Sequence, residues 1–301
     1  MPHLTELQKK YEGKVVITGV NIWEEREPKD DSYIAKVEKY VNEFGDKMGY
    51  RVAADDPKGT IAKDWMAASE SNGIPTSFIV NGEGTILWIG HPMALGKPLQ
   101  EILDGTFDAK AAAEKDAKRR EANRERREMY AGLNAAMVAK DYPKAIAEID
   151  KLVEKKPELA LNLGMTKFNV MLQSDEAAAY KWAEKMLDGP AKDNPNALNS
   201  LAWSIVDDES PIKLKSPNYK LAVKIAERAN ELAKAEDPFI LDTLAYAQFK
   251  NGQVDKALEN QKKAVKIAES QGDFPADTLK ELRDRLEMMK AKKKKAGGGG
   301  G

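Results

Sequence analysis

The run Gly73-Ile74-Pro75-Thr76-Ser77-Phe78-Ile79-Val80-Asn81-Gly82-Glu83-Gly84-Thr85-Ile86-Leu87-Trp88-Ile89-Gly90 constrains the fold more than any other stretch of the 301 residues. Residues 77–80 and 85–89 are short and rich in β-branched and aromatic side chains. Between them, Asn81-Gly82-Glu83-Gly84 tolerates the positive φ of a tight turn. The pattern predicts a β-hairpin. Pro75 has no amide to give to a ladder, so it belongs just ahead of the first strand, where an Ile-Pro bond adopts the cis form at small cost. A second constraint is chemical: the chain contains no cysteine, so these residues hold no thiolate.

Upstream of the hairpin the pattern alternates strand and helix. Residues 15–20 are almost continuously apolar, as expected of a strand covered on both faces. Over 32–44, Ile34, Val37, Tyr40, Val41 and Phe44 recur at helical intervals. Asp56-Pro57 opens another helix, with Ile61, Trp65 and Met66 available for its buried face. The first third is therefore α/β. Trp23 and the acidic loop Glu24-Glu25-Arg26-Glu27-Pro28 follow the first strand, where open α/β sheets often bind ligands; ordinary packing at the strand end is the alternative for Trp23.

Taken together, the hairpin with its preceding proline, Lys14-Val15-Val16-Ile17-Thr18-Gly19-Val20-Asn21-Ile22 and Tyr50-Arg51-Val52-Ala53-Ala54-Asp55-Asp56-Pro57 resemble the thioredoxin-like redoxin family, the thiol-disulfide oxidoreductases of bacterial envelopes. The order of parts matches over roughly residues 1–105. Met1-Pro2-His3-Leu4 is similar to that family's first helix after its Trp-Cys-x-x-Cys turn. The resemblance implies that Met1 starts inside this helix, with the dithiol and the preceding central strand upstream; a natural cysteine-free relative is the alternative. It also implies that Ile74, Pro75 and Thr76 are a substrate-holding loop and that the compartment is the periplasm or cell envelope. In the intact family a low-pKa thiolate attacks a substrate disulfide while this loop holds the substrate backbone.

Composition changes at residue 108. Residues 108–128 contain Ala, Lys, Arg, Glu, Asp and Asn without a large apolar side chain, which favours an exposed connecting helix. Beyond 128 the signal is helical and repeats. Ala145, Ile149, Leu152 and Pro157 have the spacing of the second helix of a tetratricopeptide repeat. Ala178 with Trp182, Ala222 with Ala226 and Ala229, and Ala257 with Ala264 fit the same frame. The resemblance covers 129–270, is strongest over 241–268, and implies a protein- or peptide-binding α-solenoid. Residues 206–217 read as a loop inserted between the two helices of the third repeat. Asn199 and Trp203, with Asn194 and Asn196, are candidates for a concave groove; core packing is the alternative for Trp203. The expected domains are thus 1–107 (incomplete thioredoxin-like), 108–128 (linker helix), 129–290 (helical repeats) and 291–301 (flexible Lys/Gly tail).

A net charge of −1 argues against a whole-chain nucleic-acid binder. No apolar run approaches the roughly 20 residues of a membrane helix. With only two histidines and no cysteine, no metal centre or cofactor is expected, and no nucleophile-elbow, phosphate-loop or zinc-protease motif occurs. His91-Pro92 reads as a capped loop. The expected function is that of a redoxin-type protein lacking its redox cysteines, with a helical protein-binding region; the alternative is a non-catalytic scaffold or adaptor. In both, the partner is a protein or peptide engaged by the repeats and the proline loop.

Overall fold

Helix α1 (Pro2–Lys10) begins at a proline, which suits a first helical position, and buries Thr5 and Leu7. The structure is a computed structural model that describes residues 2–24, 30–71 and 73–297. Its chain divides into two units, Met1–Glu128 and Met129–Gly301. Residues 25–28 of the acidic loop and the tail from 298 onward lie outside the described residues.

In the first unit, β1 (Thr18–Asn21) pairs in parallel with β2 (Arg51–Ala54), with Thr18 opposite Arg51 and Asn21 opposite Ala54. Between them runs α2 (Ile34–Phe44). Its apolar residues keep the spacing read from the sequence, yet none is fully buried, and Tyr40 rests on Phe44 at 4.6 Å between ring centroids. The Asp56-Pro57 segment does not start a helix at once. The buried Asp55 carboxylate first accepts the amides of Asp56, Ile61 and Ala62 at 2.8–2.9 Å, and a π-helical turn over Ala62–Ala67 follows. An acidic side chain ahead of the turn satisfies amides that have no intrahelical partner.

The hairpin consists of β3 (Ser77–Val80) and β4 (Ile86–Gly90) with an irregularity at Ile79/Val80. Asn81 Oδ1 accepts the amides of Glu83 and Thr85, and Gly84 takes φ 84°, which closes the turn. Helix α3 (Gly96–Leu103) then packs Leu99 beside Leu7, Tyr11, Ile79 and Leu95. A second cluster, Ile22, Ala62 and Met66 with Ile61 and Phe78, covers the opposite side. Among the described residues the strands form two separate two-stranded sheets, β1–β2 and β3–β4. Coverage of residues 15–20 on both faces is corrected here: Val16 is 63% exposed and Val20 is also exposed, because the short turn over 62–67 reaches only Ile22.

Helix α4 (Ala109–Val138) runs on through the composition change instead of ending there. Within the first unit its basic residues are engaged rather than merely solvated: Arg124 and Arg127 meet Glu70 at 3.0 and 2.5 Å, and Arg119 donates to Ser69 O.

The second unit continues with α5 (Tyr142–Lys155), α6 (Ala160–Ser174), α7 (Glu176–Asp188), α8 (Pro195–Val206), α9 (Tyr219–Leu232), α10 (Pro238–Lys250), α11 (Val254–Ser270) and α12 (Ala276–Gly297). Helix α5 packs on α6, α6 on α7, and each of α8 to α12 on the next, while α8 and α10 also lie side by side. Asp141, Asp175, Asn194, Asn218 and Asp237 each cap a helix through the side chain. Fully buried alanines mark the close approaches: Ala145, Ala222, Ala226, Ala229, Ala257 and Ala264. In α7 the frame is one residue off the sequence reading, since Ala179 and Ala183 are fully buried and Ala178 is not. The inserted loop occupies the connection between α8 and α9. Residues 291–297, read as part of a flexible tail, are helical instead; Lys and Ala both sustain helix.

Candidate functional site

The proline loop sits at the head of β3. Ile74 is 63% exposed, the Ile74–Pro75 bond is cis, and Thr76 Oγ1 donates to Gly73 O at 2.7 Å, folding the loop on itself. Behind it, Trp65 meets Phe78 edge to face at 5.3 Å, anchoring β3 to the helical turn. The loop therefore presents an apolar side chain and backbone to solvent from a fixed base. Trp23 belongs to the same unit. It is 51% exposed with φ 60°, so the packed alternative does not describe it. His91 accepts the Met93 amide on Nδ1 at 3.2 Å and caps the turn over Pro92–Ala94. Met93 beside it is exposed.

Asn199 and Trp203 lie in the other unit, one turn apart on α8. Trp203 packs against the large apolar cluster, 6.0 Å from the Tyr246 ring, with the Arg285 guanidinium 4.9 Å above its face. It is half-buried and packs within a polar network, in keeping with the packing alternative for this residue. Asn199 Oδ1 is buried with no hydrogen-bond partner among the described residues.

That network eluded the sequence reading. Arg285 pairs with the buried Asp242, which also accepts from Gln261 Nε2 at 2.7 Å. Burial pushes the Asp242 carboxyl above its usual range, against the pull of Arg285. On the rim, Asp208 from the inserted loop accepts from Tyr246 Oη and Lys250 Nζ, each at 2.5 Å. Partial desolvation raises the Asp208 carboxyl, but those two donors outweigh it and hold it below the usual value. Tyr246 is pushed up, first by burial and then by its bond to Asp208. Tyr246 and Lys250 were four apart in the sequence, but no pattern linked them to position 208.

The inserted loop also bounds a cleft of about 870 Å³ with Tyr142, Tyr180, Ile212 and Lys215 in its wall. Glu176 accepts the amides of Lys215 and Ser216 and pins the loop there. Among the described residues, no group of His, Asp or Glu has metal-binding geometry, and no helix is long and apolar enough to cross a membrane.

No family model matches the chain. Over 110 residues it is 30% identical to Protein FixW of Rhizobium leguminosarum, a match covering 35% of this chain and 48% of that protein. The chain thus spans about half the length of the curated relative it matches. Structurally it is a mostly helical protein with a small two-sheet α/β unit.

Proposed function

We propose that residues 1–107 are a thioredoxin-like redoxin domain and 129–290 a tetratricopeptide-type solenoid, and that together they hold protein partners without carrying out thiol chemistry themselves. The observation that carries this reading is the proline loop: an exposed Ile74 beside Pro75 and Thr76, at the head of a hairpin strand anchored by Trp65 and Phe78. The similarity to FixW supports the redoxin part, and the stacked helical hairpins with fully buried alanines support the solenoid. Of the two halves of redoxin chemistry, only holding is available to 301 residues without a cysteine. The compartment this reading favours is the periplasm or cell envelope.

The test uses the full chain and a permanently unfolded probe, reduced and carboxymethylated ribonuclease. Binding should weaken at least fivefold with Ile74→Asp, an exposed site where the change leaves melting unaltered. Equal binding by the variant overturns the role of the loop. Reduction of insulin disulfides by the chain above a buffer control overturns the division between holding and chemistry.

A further inference from the structure

Residues 207–218, between α8 and α9, have no counterpart in the other helix pairs of the second unit. Residues 139–141 join α4 to α5, residue 175 alone joins α6 to α7, and residues 251–253 join α10 to α11. A connection this much longer than its neighbours is commonly functional or disordered. This one is fastened along its length. Asp208 holds α10 through Tyr246 and Lys250, and Ile212 and Leu214 pack against the large apolar cluster. Glu176 takes the amides of Lys215 and Ser216 at 2.6 and 2.9 Å, and Tyr180 Oη donates to Ser216 O at 3.2 Å. The loop is thereby fixed as part of the wall of the cleft of about 870 Å³, with the start of α5 and the α6–α7 turn supplying the rest.

The hydrogen-bonding capacity of that wall is uneven. Tyr142, Gln173, Ser174, Tyr180 and Asn218 are bonded within the chain. Glu176 is the one carboxylate of the wall among the described residues, and both of its oxygens receive amides. Lys215 Nζ has no partner among the described residues, and Lys213 Nζ gives a single bond, to Asp208 O at 2.8 Å. An ammonium carries three donors and no acceptor, so the free capacity of the wall is cationic. The acids of the loop do not cancel it: Asp208 is held by α10, Asp207 turns to the Glu209 amide, and neither lines the cleft. The remainder of the wall is chiefly apolar, with the rings of Tyr142 and Tyr180, Ile212 and Ala177.

We propose that this cleft binds a short extended segment of a partner protein in which an aspartate or glutamate stands beside a bulky apolar side chain. Lys213 and Lys215 take the carboxylate, and the apolar side chain lies against the tyrosine rings and Ile212. The volume falls within the range of about 300–1,000 Å³ common to ligand sites, which suits a few residues rather than a folded surface. Because both lysines are exposed, their contribution is modest and screened by salt, so the apolar contact is needed as well as the charge. The inference rests on the reading of the second unit as a holder of protein partners and names what it recognises; the proline loop takes no part in it.

The experiment titrates the full chain at low ionic strength with the peptide acetyl-Gly-Asp-Phe-Glu-Leu-Gly-amide and follows assigned amide resonances. Expected are saturable shifts at Ala177, Lys213 and Ser216, with the hairpin amides of residues 77–80 unchanged. The peptide with Asn and Gln in place of its acids should bind at least fivefold more weakly, as should the peptide with Ser in place of Phe and Leu, and as should the parent peptide to Lys213→Gln/Lys215→Gln. A tenfold excess of phenylacetate should not displace it. Absence of saturable binding, shifts confined to other residues, or equal binding of the Asn/Gln peptide overturns the proposal. Equal binding of the Ser peptide overturns it in favour of charge attraction alone, and displacement by phenylacetate overturns it in favour of a small aromatic acid. Ile74→Asp should leave peptide binding unchanged, and a chain that holds carboxymethylated ribonuclease but not the peptide keeps the holding role and loses this site.

Discussion

Arg285→Met isolates the polar network that ties α8, α10, α11 and α12 together. Methionine keeps most of the stem and volume but removes the charge. Two losses follow. The guanidinium lies 4.9 Å from the Trp203 ring centroid and 5.7 Å from that of Tyr246, and each such contact at a partly exposed site contributes about 0.5–1 kcal/mol. The larger loss is on Asp242, which is buried and keeps only Gln261 as a side-chain donor; stranding a buried carboxylate costs about 3–5 kcal/mol. The second unit should therefore lose about 4–7 kcal/mol at pH 7.

The loss has a pH signature with a definite sign. Burial already raises the Asp242 carboxyl in the folded state, and Arg285 opposes that rise, so removing Arg285 raises it further. A folded-state carboxyl above its unfolded value binds a proton that the unfolded chain has released. The penalty is accordingly absent below the unfolded value of about 3.9 and grows at about 1.4 kcal/mol per pH unit until the folded value is passed. Urea unfolding followed by far-ultraviolet circular dichroism at pH 7 and pH 4.5 should show a clearly smaller cost for Arg285→Met at the lower pH. Asp242→Asn/Arg285→Met should be more stable than Arg285→Met alone at pH 7, because the stranded charge is gone. If the double variant is no better than the single one, or the single variant costs the same at both pH values, Asp242 is not stranded as argued.

Gly164→Ala sets helix propensity against packing. The new Cβ would meet Met186 Sδ at 2.5 Å in a fully buried site, so overpacking of about 1–3 kcal/mol exceeds a propensity gain of about 1, and a raised melting temperature would contradict this. Asp55→Ala strips three amides of their acceptor and should cost the first unit about 2–3 kcal/mol in urea unfolding, with Asp55→Asn intermediate; a loss below 0.5 would show that water replaces the carboxylate freely. Glu70→Gln should speed amide exchange in the first unit's part of α4. Arg127 and Arg124 hold the Glu70 carboxyl below its usual value, so this contribution is present above the unfolded value and fades as pH falls through the folded one; unchanged exchange in the variant at pH 7 would remove Glu70 as the clamp.

The hairpin was legible because its signals are local: β-branched runs, Asn81 and Gly84 in the turn, and a proline that cannot sit in the ladder. The helical region was legible through its alanine spacing, which is also local, and Gly252, at φ 82°, turns the chain between α10 and α11. What escaped depends on distant partners. Whether residues 15–20 are covered depends on how far the 62–67 turn extends, which no periodicity encodes. Composition showed the balance of charges in 108–128 but not that Glu70, at a left-handed φ of 54°, collects two of the arginines. Trp203 showed helical spacing with its apolar neighbours, but the guanidinium that covers its ring comes 82 residues later, and spacing cannot see it.

The two units also differ in how they satisfy their backbone, and that difference sets their local stability. In the second unit every helix closes its own ladder, capping side chains take up many of the end amides, and α10 is buried along most of its length. Opening it requires loss of packing, so it is suited to be a rigid support. In the first unit the same requirement is met piecemeal: by two-strand sheets, by Asp55 at the 62–67 turn and by the Gln8 amide at one edge. The backbone groups of Val16, Thr18, Val20, Phe78 and Val80 take no part in either ladder, so the first unit is expected to exchange its amides faster than α10 does.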